Sequence, residues 1–206
     1  LAIEFVHRYG RYFAGGVFWL SFADANAVPS EIAACGAAGH LALHPNFEAL
    51  PLDQQTKLVL EAWASPLPRL LVFDNCEDQA LLNRWRPRVG GCRILLTSRR
   101  SQWDAAIGVQ ILLLGVLSRR ESVALLRKHC PDLLPNHLDL IAIAAELGDL
   151  PLALHLAGHY LARYRREVSP AAYTRQLHSP QLLEHPSLQA SGISPTGHEQ
   201  HVARTF

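Results

Sequence analysis

The sequence contains no methionine, not even at position 1, and only two lysines, Lys57 and Lys128, among its 19 basic residues. The first absence makes us expect a piece excised from a longer polypeptide. Cysteine is scarce as well. Cys35, Cys76, Cys92 and Cys130 show no C-x-x-C spacing, so neither a zinc knuckle nor a disulfide framework is expected, and a reducing, cytoplasmic setting fits. Aromatic residues make up 8% and are not interleaved with the arginines, which disfavours a stacking platform for single-stranded nucleic acid. The net charge of +1 argues against a dedicated phosphate-backbone binder, and no direct nucleic-acid contact is expected. No apolar run approaches the ~20 residues of a membrane span, and no secretory pattern opens the chain. Neither G-x-S-x-G nor the phosphate loop G-x-x-x-x-G-K-[ST] occurs anywhere.

What is present is a chain of 206 residues, 49% apolar, enough for one and a half domains at roughly 150 residues each. Short apolar runs rich in β-branched and aliphatic residues predict strands over Val17–Phe22, Leu70–Phe73, Arg93–Thr97 and Val109–Leu114. Helical patterning predicts Leu1–Tyr12, Glu31–Ala38 capped by Ser30, Gln54–Ala64 capped by Asp53, Gln79–Trp85, and a short helix near Gln102–Ile107. Strands alternating with helices at this spacing predict βαβ units and a parallel sheet. After Leu117 the pattern is helical only. Ser118 caps Arg119–His129, Asn136 or His137 opens Leu138–Leu147, and Gly148 ends it. Asp149 then caps a helix to about Arg166 with Pro151 in its first turn, and Ser169-Pro170 starts another. The division expected is an α/β domain over 1–117, a helical subdomain over 118–177 and a poorly ordered linker over 178–206, with a helix beginning at His198.

Three segments can carry chemistry. In Arg69-Leu-Leu-Val-Phe-Asp74-Asn75 a carboxylate ends a strand buried on both faces, where open α/β sheets bind ligands. In P-loop nucleotide hydrolases an aspartate so placed holds Mg²⁺; the alternative is that Asp74 caps the next helix. In Arg93-Ile-Leu-Leu-Thr97-Ser98-Arg99-Arg100 a second strand ends in groups able to meet phosphate, or in a capping Ser98 beside two solvated arginines. Gly148-Asp149-Leu150-Pro151-Leu152-Ala153-Leu154 is a helix stop followed by a helix start, in which Pro151 could offer a rigid face to a flat base.

In this order and spacing the three segments resemble the NB-ARC nucleotide-binding module of the STAND class of P-loop signalling NTPases. The likeness is to bacterial multidomain regulators in which the module precedes helical, TPR-type repeats. LLVFDN resembles the family's Walker B motif, LLTSRR its sensor motif and GDLPLAL its GLPL motif. The resemblance implies an ADP/ATP-binding switch in signal transduction, in which ADP holds a closed state and ATP permits activation or assembly. It implies Asp74 on the Mg²⁺ side of the nucleotide, Thr97 and Ser98 near phosphate, Arg99 as phosphate sensor with Arg100 beside it, and Pro151 against adenine. Nucleotide and other protein domains or subunits are the expected partners.

Two departures qualify this. The acidic residue that usually follows the Walker B aspartate is Asn75 here, and an amide cannot act as general base, so at most slow ATP hydrolysis is expected. Leu1–Tyr12 resembles the helix that follows the phosphate loop, so the loop and its strand are expected upstream of Leu1, and 197–206 resembles the entry to a winged-helix part. The piece alone is expected to bind nucleotide negligibly and to leave a gap beside Arg93–Thr97. A nucleotide-free interaction scaffold of the same fold is the alternative that Asn75 favours.

His40/His44 and His155/His159 are i,i+4 pairs, the spacing of two metal ligands on one helix face, but neither has an H-E-x-x-H glutamate or a recognisable third ligand, so no metal site is expected from them. Cys76 beside Asp74 lacks a positioned base and is expected to be structural.

Overall fold

The computed structural model describes residues 1–134 and 137–178. The expected linker, its helix from His198 and the role of Asn136 lie outside these residues. Contacts divide the chain into two compact units, Leu1–Leu113 and Leu114–Phe206.

The first unit is an α/β layer. Its elements run α1 (Ala2–Tyr9), β1 (Val17–Ser21), α2 (Val28–Ala34), α3 (Leu52–Trp63), β2 (Arg69–Asp74), α4 (Gln79–Trp85) and β3 (Cys92–Leu96). The three strands form one parallel sheet in the order β1-β2-β3, with Leu20 level with Phe73 and Phe73 level with Leu96. Parallel strands covered on both sides read as unbroken apolar runs, and all six residues of β2 are buried. One sheet face, with Phe18, Leu20, Leu71 and Phe73, packs into a core shared with Ile32 of α2 and Trp63 of α3. Phe22 stacks on Phe73 with ring centroids 4.2 Å apart.

The charged residue that begins β2 is buried with it. The Arg69 guanidinium donates to the Ala62 carbonyl at 2.9 Å and to Ser65 Oγ at 2.7 Å, closing the carbonyl end of α3, where a cation is favoured. Just before β3 the chain crosses that same turn. Gly91 N donates to Ser65 O at 2.9 Å, and a Cβ on Gly91 would lie 2.3 Å from the Pro66 carbonyl oxygen. Only glycine fits this approach.

Several expectations are corrected. Val109–Leu114 is not a strand: it is irregular, and Leu112 and Leu113 are 76% exposed. A strand needs a neighbour for its ladder, and β3 is the edge of the sheet on that side among the described residues. Ser30 does not cap α2, because Pro29, with φ already suited to a helix, lies in the first turn and the helix starts at Val28. Asp53 likewise lies inside the first turn of α3, whose N-cap is Pro51. The helix expected near Gln102–Ile107 is a single 3₁₀ turn, Ala105–Ile107, capped by Asp104. His40 and His44 are not on a helix.

The second unit is a small helical bundle of α5 (Arg119–His129), α6 (Leu138–Glu146), α7 (Pro151–Arg163) and α8 (Pro170–Leu177). Ser118 and Glu121 form the reciprocal capping box at the start of α5, and Ser169 caps α8. Leu126, Leu140, Ile143, Leu154 and Tyr173 are fully enclosed in its core. Asp149 does not cap α7; Leu150 does, without a side-chain bond. Asp149 instead takes a left-handed φ of 56° and accepts from Arg119 Nη2 at 2.8 Å, while Arg119 Nη1 donates to the Ile141 carbonyl at 2.8 Å. Asp149 lies one residue before the N-cap, and its carboxylate is turned to Arg119. The helix α7 also ends at Arg163 rather than Arg166, in a turn through Tyr164. Among the described residues no helix is long and apolar enough to cross a membrane.

The close approach at Gly91 sets a test. Gly91→Ala should lower stability by about 1–3 kcal/mol, because backbone rather than a movable side chain must give way. Gly115→Ala, at a position with nothing within 4 Å, should change it little. Denaturant unfolding of the two variants measures the difference.

Candidate functional site at the carboxyl end of the sheet

The residues singled out in the first unit converge where β2 and β3 end. Thr97 follows β3 and continues its pairing, its N–H donating to Phe73 O at 3.1 Å. That register sets Thr97 beside Asp74, and the Thr97 hydroxyl donates to Asp74 Oδ1. The same hydroxyl oxygen accepts from Asn75 N at 2.9 Å, and Thr97 O accepts from Cys76 N at 2.9 Å. Asn75 makes this possible by turning into the left-handed region, φ 56°, which asparagine tolerates better than most residues. A buried carboxylate, oriented by a neighbouring hydroxyl, therefore stands at the end of the most enclosed strand.

The capping alternative for Asp74 is settled by its neighbour. Asp78 is the N-cap of α4, its Oδ1 accepting from Ala80 N at 2.7 Å, so Asp74 is not needed there. Nor does Ser98 cap an α-helix. Its oxygen accepts from Arg100 N at 3.0 Å in a turn, and its hydroxyl donates to Glu77 Oε2 at 3.2 Å.

Glu77 is the residue that sequence reasoning missed. Its Oε1 accepts from both Arg99 N, at 2.9 Å, and Arg99 Nε, at 3.2 Å. Burial of Glu77 acts to raise its pKa, but the bonds from Arg99 and Ser98 outweigh it and hold the carboxyl below its ordinary value. The Arg99 side chain is 93% exposed, so its head is tethered at one edge and otherwise faces solvent. Such a pair contributes under about 1 kcal/mol; its role is to aim the turn. The only sequence signal for Glu77 was its position three residues after Asp74, which says nothing of Arg99. Arg100 is set apart, its guanidinium over the Trp103 ring at 5.4 Å.

Cys76 is buried, which with the charges of Asp78 and Glu77 pushes its thiol up to about 11; burial takes Cys35 to about 12. Neither is a thiolate at neutral pH, in keeping with structural roles. Pro151 belongs to the second unit, in the first turn of α7. The structure thus brings together Asp74, Thr97, Ser98 and Arg99, with Glu77 joining them, and places Pro151 on the other unit.

No family model matches the chain. Over 172 residues, 80% of this chain, it is 28% identical to the regulatory protein AfsR of Streptomyces griseus. The chain is thus distantly similar to a bacterial regulatory protein, and it spans only 17% of that protein's length.

Because the Glu77 carboxyl is held below its ordinary value, the tether is present at neutral pH and is lost as pH falls below about 4.5 through the lowered value. The Arg99 amide ¹H–¹⁵N signal should shift in that acid range. In Glu77→Gln the acid-range shift of this amide should largely vanish.

Proposed function

We propose that this chain is the nucleotide-binding regulatory core of a larger switch protein, with Mg²⁺ and ADP or ATP as ligands. The observation that carries the proposal is the pairing of Asp74 with Thr97 at the carboxyl end of a parallel sheet, next to the Glu77-tethered Arg99. The distant similarity to a regulatory protein supports the regulatory part of the reading.

The donor set fits the ligand. Carboxylate and hydroxyl oxygens suit a hard cation such as Mg²⁺, which is usually held by one or two carboxylates together with phosphate oxygens. On this reading Asp74 is the protein's metal-side ligand, Thr97 orients it, and Thr97 or Ser98 contacts phosphate. Arg99 reaches a terminal phosphate by leaving Glu77. Bound metal would neutralise phosphate charge. Asn75 occupies the position after Asp74 and can donate or accept a hydrogen bond but cannot take a proton, so turnover is slow and nucleotide identity, not hydrolysis rate, sets the state. ADP then holds a closed arrangement, and ATP shifts the population toward an assembling one by its differential affinity for the two. The 206 residues contain no G-x-x-x-x-G-K-[ST] motif, so on this reading a cradle of backbone N–H groups and a phosphate-binding lysine would complete the site, with helical repeats as the expected partners.

A second reading, a scaffold that keeps the fold without nucleotide, is favoured by Asn75 and by the engagement of Arg99 with a carboxylate. The two are separable. In the longer polypeptide, Asp74→Ala should weaken Mg²⁺-dependent ATP binding more than Mg²⁺-free ADP binding. Equal losses would remove the metal role, and no nucleotide binding at all would favour the scaffold. Labelled ADP titrated onto the 206-residue chain itself should show negligible binding, and micromolar saturation would show that no further segment is needed.

A further inference from the structure

The i,i+4 pair His155/His159 on α7 has a partner that the sequence does not reveal. His129, the last residue of α5, brings its ring to 5.0 Å from that of His155 and 4.3 Å from that of His159, centroid to centroid. The rings of His155 and His159 are themselves 4.4 Å apart. Each imidazole offers a nitrogen, and the three lie within 4.8 Å of one another. The geometry points to a three-histidine site for a zinc-type divalent transition-metal ion, bridging the end of α5 and the middle of α7.

The backbone is shaped for this cluster. Gly158 is a buried glycine inside a helix, a choice that costs about 1 kcal/mol against alanine. Its reason is His129: a Cβ on Gly158 would lie 2.6 Å from His129 Cδ2 and 3.0 Å from Cγ. Without a side chain at that position, the His129 ring can settle onto α7 between the two histidines that flank the glycine.

The chemistry of the donors selects the ion. Three imidazole nitrogens with no carboxylate among them suit zinc, cobalt, nickel or copper and not magnesium or calcium. Zinc bonds of 2.0–2.1 Å require nitrogens about 3.3 Å apart, so the rings must close by about 1.5 Å. Rotation about the ring-bearing torsions, which are broad for histidine, supplies that movement without shifting either helix. Three protein ligands leave a fourth position for water or another ligand. Metal binds the neutral imidazole. The consequence is a clip: an ion that binds only the folded arrangement stabilises the second unit by linkage.

The test uses the untagged chain, freed of metal with a chelator. Zinc titrated by calorimetry should bind one to one with micromolar or tighter affinity and raise the thermal midpoint. Cobalt should give the visible ligand-field bands of a nitrogen-ligated site without thiolate charge-transfer. His159→Gln, at an exposed position that leaves the fold intact, should weaken zinc at least ten-fold and abolish the thermal shift, whereas His44→Gln should change neither. Gly158→Ala keeps all three histidines and should weaken zinc by displacing the His129 ring, with circular dichroism confirming the fold. The proposal falls if zinc binds no tighter than millimolar, if His159→Gln binds as well as the parent chain, or if the cobalt spectrum shows cysteine ligation.

Discussion

Total enclosure of β2 is the constraint on which the first unit depends. A strand covered on both faces and flanked on both edges leaves no water for its charged ends, so each end must find a protein partner. Arg69 finds the Ala62 carbonyl and the Ser65 hydroxyl at the end of α3, beside the turn that Gly91 meets. Asp74 finds the Thr97 hydroxyl, which fixes the chain beyond β3. One strand thereby organises the loops at both ends of the sheet, and the candidate site is the carboxyl-end half of that arrangement.

The parts legible in the sequence were those governed by local pattern. The run Leu70–Phe73 could be read as a strand because a central parallel strand is apolar at every position, not at alternate ones, and Arg93–Thr97 because an aliphatic core, Ile94–Leu96, is bounded by polar residues. Ser118 and Ser169 were readable as caps because nothing else competes for them. Val109–Leu114 has the same composition as the true strands, yet composition does not supply a neighbour, and the segment stays irregular. Asp149 has the composition of a cap but is drawn off by Arg119, a tertiary partner that no local window contains.

The candidate site divides in the same way. Asp74, Thr97, Ser98 and Arg99 announce themselves by standing at strand ends. Glu77 does not, because its importance lies in a contact across to the next strand's loop. His129 was hidden for a related reason: its two companions share a helix and a four-residue spacing, while it arrives from another helix through a gap left by a glycine.

Among the described residues no strand pairs with the outer side of β3. An uncovered strand edge is a template that accepts an extended chain with little demand on its sequence. Close by in sequence runs Ile111–Leu114, a short aliphatic ribbon well exposed to solvent and low in charge, of the kind that stacks into cross-β assemblies. Template and ribbon are carried by the same polypeptide, so each copy is both acceptor and donor. Wherever that edge is left uncovered, an extended segment of another copy can add to it, and association of that kind is open-ended and not closed.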